Sequence, residues 1–173
     1  MKIFLKCFSI MAICLLITAC PYESPVPLAS PSEKLIPELL GKWAVHDSKG
    51  EHVVINKLNT YQYQINDYKF DNDKREYISE NYRAHSSTID NETFLNISPV
   101  SVIESGDSID VKSETYFLYK IKFHGTDSLL LIEVSQYIRE QFINSAELET
   151  FVKKYKDLSF FFGEKTLYIK GKE

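Results

Sequence analysis

Apolar and polar side chains alternate with a period of two in several stretches between Leu35 and the C-terminus. Two stretches show this most clearly, because apolar residues occupy every second position: Tyr61, Tyr63 and Ile65, and then Phe117, Tyr119, Ile121 and Phe123. Successive side chains of a strand point to opposite faces, so this period predicts strands with one buried face. The chain also has 11 Tyr and 11 Phe but only 6 Gly, a composition typical of strands. We therefore expect a mainly β domain.

The first hairpin can be placed from its turn. The sequence Asp47-Ser48-Lys49-Gly50 suits a type I turn followed by Gly50 in the left-handed conformation. Pairing outward from this turn puts Val45 opposite Val53 and Trp43 opposite Ile55, on the core face. A second hairpin is expected where residues 124–127 join the Phe117 strand to a strand over 129–134.

The remaining segments are less regular. A long strand over 76–88 carries Glu80 and Ser86 among its apolar residues, so its inner face is expected to be partly polar. We expect turns or loops over 66–74 and 105–110, a short strand ended by Pro99, and strands over 158–162 and 165–170.

One segment near the C-terminus has helical periodicity. Apolar residues recur there at i, i+3, i+4 and i+7: Leu148, Phe151, Val152 and Tyr155. Asn144 can cap this helix, with Glu147 three residues later in a capping-box arrangement. The sequence therefore predicts one amphipathic helix before the final strand.

About eight hairpin-connected strands suggest an antiparallel meander that closes into a barrel or forms a strongly curled sheet. Gly41-Lys42-Trp43 matches the Gly-x-Trp at the start of the first strand in lipocalins, and the late helix also fits. In these respects the chain resembles lipocalin-like barrels. The resemblance implies that Trp43 plugs the closed end of the barrel or, alternatively, contacts a bound ligand. Because the family's other turn motifs and its usual disulfides are missing, no ligand preference carries over.

The N-terminus has the pattern of a cleaved signal. Lys2 and Lys6 precede an apolar run from Ile10 to Ile17, which is shorter than the roughly 20 residues that a membrane-spanning helix needs. The sequence that follows resembles the lipobox of bacterial lipoproteins: Ile17, Thr18, Ala19 and Cys20. The resemblance implies cleavage before Cys20, a diacylglycerol joined to its thiol through a thioether and usually an amide-linked acyl chain such as palmitate. An ordinary secretory signal is the alternative.

These features divide the chain into a signal peptide (1–19), a tether rich in proline and serine (20–34) and a single β-rich globular domain (35–173). Pro21, Pro25, Pro27 and Pro31 predict an extended tether that holds the domain tens of ångströms from the membrane. By the same resemblance, Pro21 in place of an aspartate directs the protein to the outer membrane if the host is Gram-negative. We therefore expect a lipid-anchored protein of the cell envelope.

The positions of the cysteines and the net charge argue against a disulfide-stabilised domain and against a nucleic-acid-binding protein. Cys7 and Cys14 lie in the signal peptide and Cys20 is consumed by lipid, so the domain is expected to lack disulfides. Without the signal peptide, 18 basic residues stand against 24 acidic ones. No segment provides the basic stripe that phosphate binding needs, so we expect no nucleic-acid partner.

Catalytic motifs are absent from the sequence, so we expect neither an enzyme nor a cofactor. In the expected hairpin register, His46 and His52 face each other on the outer face. Two imidazoles supply only half of the four ligands in a structural zinc site, and the sequence places no third candidate. We therefore expect no metal site.

Two functions remain open. The first is a non-catalytic module that docks another envelope protein or a host protein, and the alternative is a lipocalin-like binder of a small apolar or amphipathic molecule. The volume of the barrel interior distinguishes them. Large aromatic residues at inward positions favour a filled barrel and hence the interaction module.

Overall fold

The computed structural model describes residues 22–48, 50–72, 75–104, 107–112, 115–135 and 138–171. Its ten strands are β1 (Glu23–Ser24), β2 (Gly41–Val45), β3 (His52–Lys57), β4 (Tyr63–Asp71), β5 (Glu76–Ile89), β6 (Glu92–Glu104), β7 (Asp107–Asp110), β8 (Tyr116–His124), β9 (Ser128–Val134) and β10 (Phe162–Lys170). One α-helix, α1 (Ser145–Tyr155), connects β9 to β10, and a 3-10 turn (Pro37–Leu39) precedes β2.

Eight of these strands form a closed antiparallel barrel. The hydrogen-bonded order is β8-β9-β10-β2-β3-β4-β5-β6, and β6 pairs with β8 to complete the ring. The two short strands β1 and β7 pair with β8 and β6 outside this ring. Since nearly all neighbours in the ring are consecutive along the chain, the prediction of an antiparallel meander closed into a barrel is confirmed.

The register predicted for the first hairpin is wrong by two residues. Trp43 pairs with Val53 and Gly41 pairs with Ile55. The loop contains two left-handed residues: Gly50 (φ +92°), as the turn type predicts, and also Asp47 (φ +65°), which the turn type does not predict. A shift of two residues keeps every side chain on its face, so Trp43, Val53 and Ile55 still face the barrel interior.

Two strands run further than predicted. β4 continues through the polar residues expected to form a turn and ends at Asp71, because Asp67 and Lys69 face the barrel interior. β6 passes through Pro99, which lies where the register with β5 shifts by one residue. Proline is tolerated at such a bulge because its missing N–H interrupts the ladder where the ladder is already irregular.

Two smaller predictions also fail. Residues 107–110 form β7, which extends the end of β6, instead of a loop, whereas Gly106 lies outside the described residues. Residues 158–161 form a turn, so the final strand begins only at Phe162. In this turn the Phe161 amide donates to the Leu158 carbonyl (3.0 Å), and Phe161 enters the core beside α1.

Helix α1 covers a second apolar core on the outer wall of the barrel. Its cap is the predicted one, since Asn144 Oδ1 accepts a hydrogen bond from the Glu147 amide at 3.0 Å. Leu148 and Val152 are fully buried against residues of β6, β8 and β9: Phe94, Leu118 and Val134. The amphipathic helix is therefore confirmed, with its apolar face against the barrel.

The N-terminal segment packs along the same wall. Tyr22 and Leu28 are buried, and the Leu28 amide donates to Asn96 Oδ1 at 2.6 Å. His85 Nε2 lies 2.6 Å from the Ala29 carbonyl oxygen. The prediction of a free, extended tether is therefore wrong from Tyr22 onward. The prolines keep most of the segment out of a sheet, but buried side chains and hydrogen bonds from the wall hold it in place.

Candidate functional site

The barrel encloses a cavity of about 570 Å³, so the expectation of a filled interior is wrong. Its apolar part is lined by residues from five strands: Val53, Ile55, Ile65, Leu95, Ile97, Phe117, Leu129 and Leu131. Its polar part carries four carboxylates and one amine: Asp67, Glu80, Glu133, Glu164 and Lys69. Three tyrosines complete the wall: Tyr82, Tyr119 and Tyr168.

One end of the barrel is closed by the chain that leads into β2. Trp43 is fully buried there, and its Nε1 donates to the Leu39 carbonyl at 2.8 Å. Tyr63, also fully buried, accepts a hydrogen bond from the Ile36 amide at 2.7 Å. Trp43 therefore belongs to the core at the closed end, and the cavity lining found in the described chain does not include it.

Gly41 begins β2 at this end with φ +117°, a conformation that L-residues with a side chain rarely adopt. Lys170 Nζ donates to the Glu38 carbonyl at 3.0 Å and lies 5.1 Å from the centre of the Trp43 ring. In the Gly-Lys-Trp sequence, Gly41 thus supplies a backbone conformation that needs glycine, and the Trp43 side chain fills the closed end of the barrel.

The polar part of the cavity is organised around Lys69. Its Nζ lies 3.1 Å from Asp67 Oδ2 and 2.7 Å from Glu80 Oε2. Glu80 Oε2 also accepts a hydrogen bond from the Tyr82 hydroxyl at 2.8 Å. Half of the Lys69 side chain is exposed, so this network lies at the end of the cavity that opens to solvent.

Burial and pairing shift the pKa values of these two carboxyls in opposite directions. Burial raises the pKa of Asp67, and the nearby Lys69 offsets only part of that rise. Burial also opposes ionisation of Glu80, but hydrogen bonds from Lys69 and Tyr82 outweigh it and lower the pKa of Glu80. Glu80 is thus the carboxylate that Lys69 chiefly neutralises.

Glu133 and Glu164 form a second acidic pair. Burial, and then the charge of Glu164, raise the pKa of Glu133, and no cation in the described part of the chain is among the causes. The register between β10 and β9 shifts between Phe162 and Lys165. This bulge lets Phe162 pack on the outer core while Glu164 lines the cavity, although both would otherwise share a face.

The tyrosines of the cavity stay protonated at neutral pH. Burial is the main cause that raises the pKa of Tyr168 to about 12, and burial together with the charge of Glu133 raises that of Tyr119 further. The hydroxyls of Tyr119 and Tyr168 can therefore donate a hydrogen bond to a polar group in the cavity, whereas the Tyr82 hydroxyl already donates to Glu80.

The alternation that marks Tyr63 and Ile65 continues to Asp67 and Lys69, and this was the signal that sequence reasoning missed. Because charged residues favour a turn over a strand with a buried face, local sequence predicts a turn in this segment. Glu80, in contrast, lies in the strand whose inner face was predicted to be partly polar, and this prediction is confirmed.

His46 and His52 do not face each other, so the prediction that they do is wrong. His52 pairs with Ala44, and its ring stacks on Tyr68 with the centres 4.8 Å apart. His46 is exposed, with Nε2 3.5 Å from Asp47 Oδ2. The described ranges contain no group of three or more His, Cys, Asp or Glu residues placed to hold a metal ion.

The lipobox residues Ile17, Thr18, Ala19 and Cys20 lie outside the described residues. Within residues 22–171, apart from the gaps given above, no helix is long and apolar enough to cross a bilayer. No protein-family model, curated protein or solved structure matches this chain.

Proposed function

We propose that the protein is a lipid-anchored lipoprotein of the cell envelope whose barrel holds a small amphipathic molecule without catalysing a reaction on it. The observation that carries the proposal is the cavity of about 570 Å³, apolar over one part and polar at the open end. Sites for small molecules typically measure about 300–1,000 Å³ and combine apolar walls with a few polar groups. The cavity fits this description.

Binding is tested by native mass spectrometry of a Cys20→Ser variant secreted by the protein's own host and purified without detergent. We expect a bound mass of lipid or metabolite size that is lost on denaturation. A Leu131→Trp variant, which places a larger side chain in the cavity, should lose the bound mass but keep its circular dichroism spectrum. The proposal fails if no mass is bound and the neutral fluorescent amphiphile N-phenyl-1-naphthylamine does not bind either.

The lipid anchor of the proposal rests on the lipobox at Cys20. Only Pro21 separates Cys20 from Tyr22, and the Tyr22 hydroxyl donates at 3.1 Å to the carbonyl of Glu140, which lies between β9 and α1. Two peptide units span at most about 7 Å between Cα atoms. The anchored barrel would therefore lie at the membrane surface, on the outer membrane of a Gram-negative host. Labelled palmitate should enter the wild-type protein and not Cys20→Ser, which should leave the membrane fraction.

A protein partner in the envelope or on a host is the second candidate function. Ile143 is 84% exposed and Phe160 is 56% exposed. Their chain neighbours Phe142 and Phe161 both contact Phe151, so the two exposed side chains flank one apolar cluster. An Ile143→Ser, Phe160→Ser double variant should lose a cross-linked partner and keep amphiphile binding, if this surface docks a protein.

A further inference from the structure

We propose that the cavity selects cationic amphiphiles, in which a primary or quaternary ammonium group is joined to an apolar body. This inference rests on the proposed binding function and names its ligand class. The juxtaposition that carries it is an apolar cavity whose open end holds more carboxylates than its described cations can neutralise.

The charges of the cavity wall do not balance. Four carboxylates line it, and Lys69 is the one cation among the described lining residues. Lys69 Nζ is already in contact with Asp67 and Glu80. Glu133 and Glu164 are left facing the same space, on the neighbouring strands β9 and β10.

Burying like charges together is unfavourable unless an opposite charge joins them. Glu133 and Glu164 line the same cavity, and the charge of Glu164 contributes to the raised pKa of Glu133, so the two carboxyls repel each other. An ammonium group beside them would relieve this repulsion and pair with Glu133, the more buried of the two carboxylates. The pair is thus a place where a ligand cation is stabilised and a ligand anion is repelled.

Aromatic rings surround the same position. Tyr119 pairs directly with Glu133 across β8 and β9, and both side chains line the cavity. Tyr168 and Glu164 line the same cavity as Tyr119, and the charge of Glu164 contributes to the raised pKa of Tyr119. Tyrosine faces attract ammonium groups, most strongly when the cation loses water. A ring and a carboxylate side by side suit a quaternary ammonium, which cannot donate hydrogen bonds.

The apolar part accounts for the rest of the ligand. Ile55, Ile65 and Leu129 are buried where the cavity approaches the closed end. A hydrocarbon body there would remove its surface from water, at roughly 0.8 kcal/mol for each methylene buried. An amphiphile would therefore enter with its tail toward Trp43 and its head at the acidic opening.

The test compares ligands with the same decyl chain and different heads: decyltrimethylammonium, decanol and decanoate. Each is titrated below its micelle concentration against bound N-phenyl-1-naphthylamine, using the Cys20→Ser protein at neutral pH and low salt. We expect decyltrimethylammonium to bind about tenfold more tightly than decanol and decanoate to bind most weakly, with the difference shrinking at high salt. If the cation binds no better than the alcohol, the charge selection is refuted while the binding function stands. If none of the three ligands nor the probe binds, both proposals fail.

A double variant assigns the selectivity to the acidic pair. Glu133→Gln with Glu164→Gln should lower the ratio of cation affinity to alcohol affinity about tenfold, since each exposed charge pair accounts for roughly two- to fivefold. The matched control is Asp107→Asn with Asp110→Asn on β7, which removes the same charge from two exposed residues outside the cavity lining. The control should keep the wild-type ratio. An equal fall in both double variants would overturn the assignment to Glu133 and Glu164.

Discussion

Asp67 of β4 and Glu80 of β5 stand directly opposite each other, with both carboxylates inside the barrel. Like charges at opposite positions of two strands are destabilising. Here Lys69 Nζ lies within 3.1 Å of one carboxylate and 2.7 Å of the other, and Tyr82 donates to Glu80. One lysine therefore makes an otherwise unfavourable cross-strand pair compatible with the folded barrel.

Replacing that lysine should expose the repulsion. We expect Lys69→Met to lower the free energy of unfolding at pH 7 by about 1–2 kcal/mol, less than for a fully buried pair because half of the side chain meets solvent. The loss should shrink as the pH falls toward 4 and the carboxyls take up protons. Urea unfolding at both pH values measures it. Lys122→Met, on an exposed position of β8, should change stability by less than about 0.5 kcal/mol. A loss independent of pH would contradict the prediction.

Glu133→Gln should stabilise the free protein. The pKa of Glu133 is raised by burial and by Glu164, so folding favours its protonated form. That contribution is fully present below the ordinary glutamate pKa of about 4.3 and is lost as the pH rises through the raised pKa. At pH 7 we therefore expect a gain of less than about 1 kcal/mol, since solvent screens the carboxyl. Thermal unfolding at pH 7 and pH 3.5 tests this, and an equal gain at both values would argue against it.

Substitutions at Trp43 show whether this residue only fills the core or also contacts a ligand. Trp43→Ala should cost about 3–5 kcal/mol, because it empties a fully buried site at the closed end. Trp43→Phe should cost roughly 1–2 kcal/mol, since the Leu39 carbonyl loses its donor. Chemical unfolding gives both values. If Trp43→Phe instead leaves stability unchanged and weakens amphiphile binding, Trp43 contacts the ligand.

Asn96 should hold the N-terminal segment on the barrel. Its Oδ1 accepts from the Leu28 amide and its Nδ2 donates to Ser87 Oγ at 2.9 Å. Asn96→Ala should cost about 1–3 kcal/mol, because it leaves buried polar groups without partners. It should also speed protease cleavage between residues 25 and 32, as followed by mass spectrometry. Asn56→Ala, on an exposed position of β3, is the matched control and should cleave at the wild-type rate.

The faces of the strands could be predicted from the sequence more reliably than their lengths. A period of two assigned Phe117, Tyr119 and Ile121 to the interior, and it kept Trp43 and Val53 there even though the register was wrong by two residues. The register itself depends on the conformation of the loop, in which Asp47 is left-handed as well as Gly50. Loop conformation is set by a few dihedral angles that residue identity only biases, so it could not be predicted with the same success.

The acidic site could not be assembled from local patterns. Asp67 and Lys69 belong to a polar segment that predicts a turn, and they extend β4 because Glu80 and Tyr82 on β5 face the same space. Glu133 and Glu164 are 31 positions apart and meet only because β9 and β10 are neighbours with a bulge between them.

Residue order alone determined the alternation, the helix stripe with its cap and the antiparallel meander, since each depends on side chains a few positions apart. Barrel closure alone decided that the interior holds a cavity, that carboxylates from four strands share it, and that the proline-rich segment lies on the wall. Those outcomes depend on how side chains distant in sequence fill a common volume, and packing at that range is a property of the assembled chain.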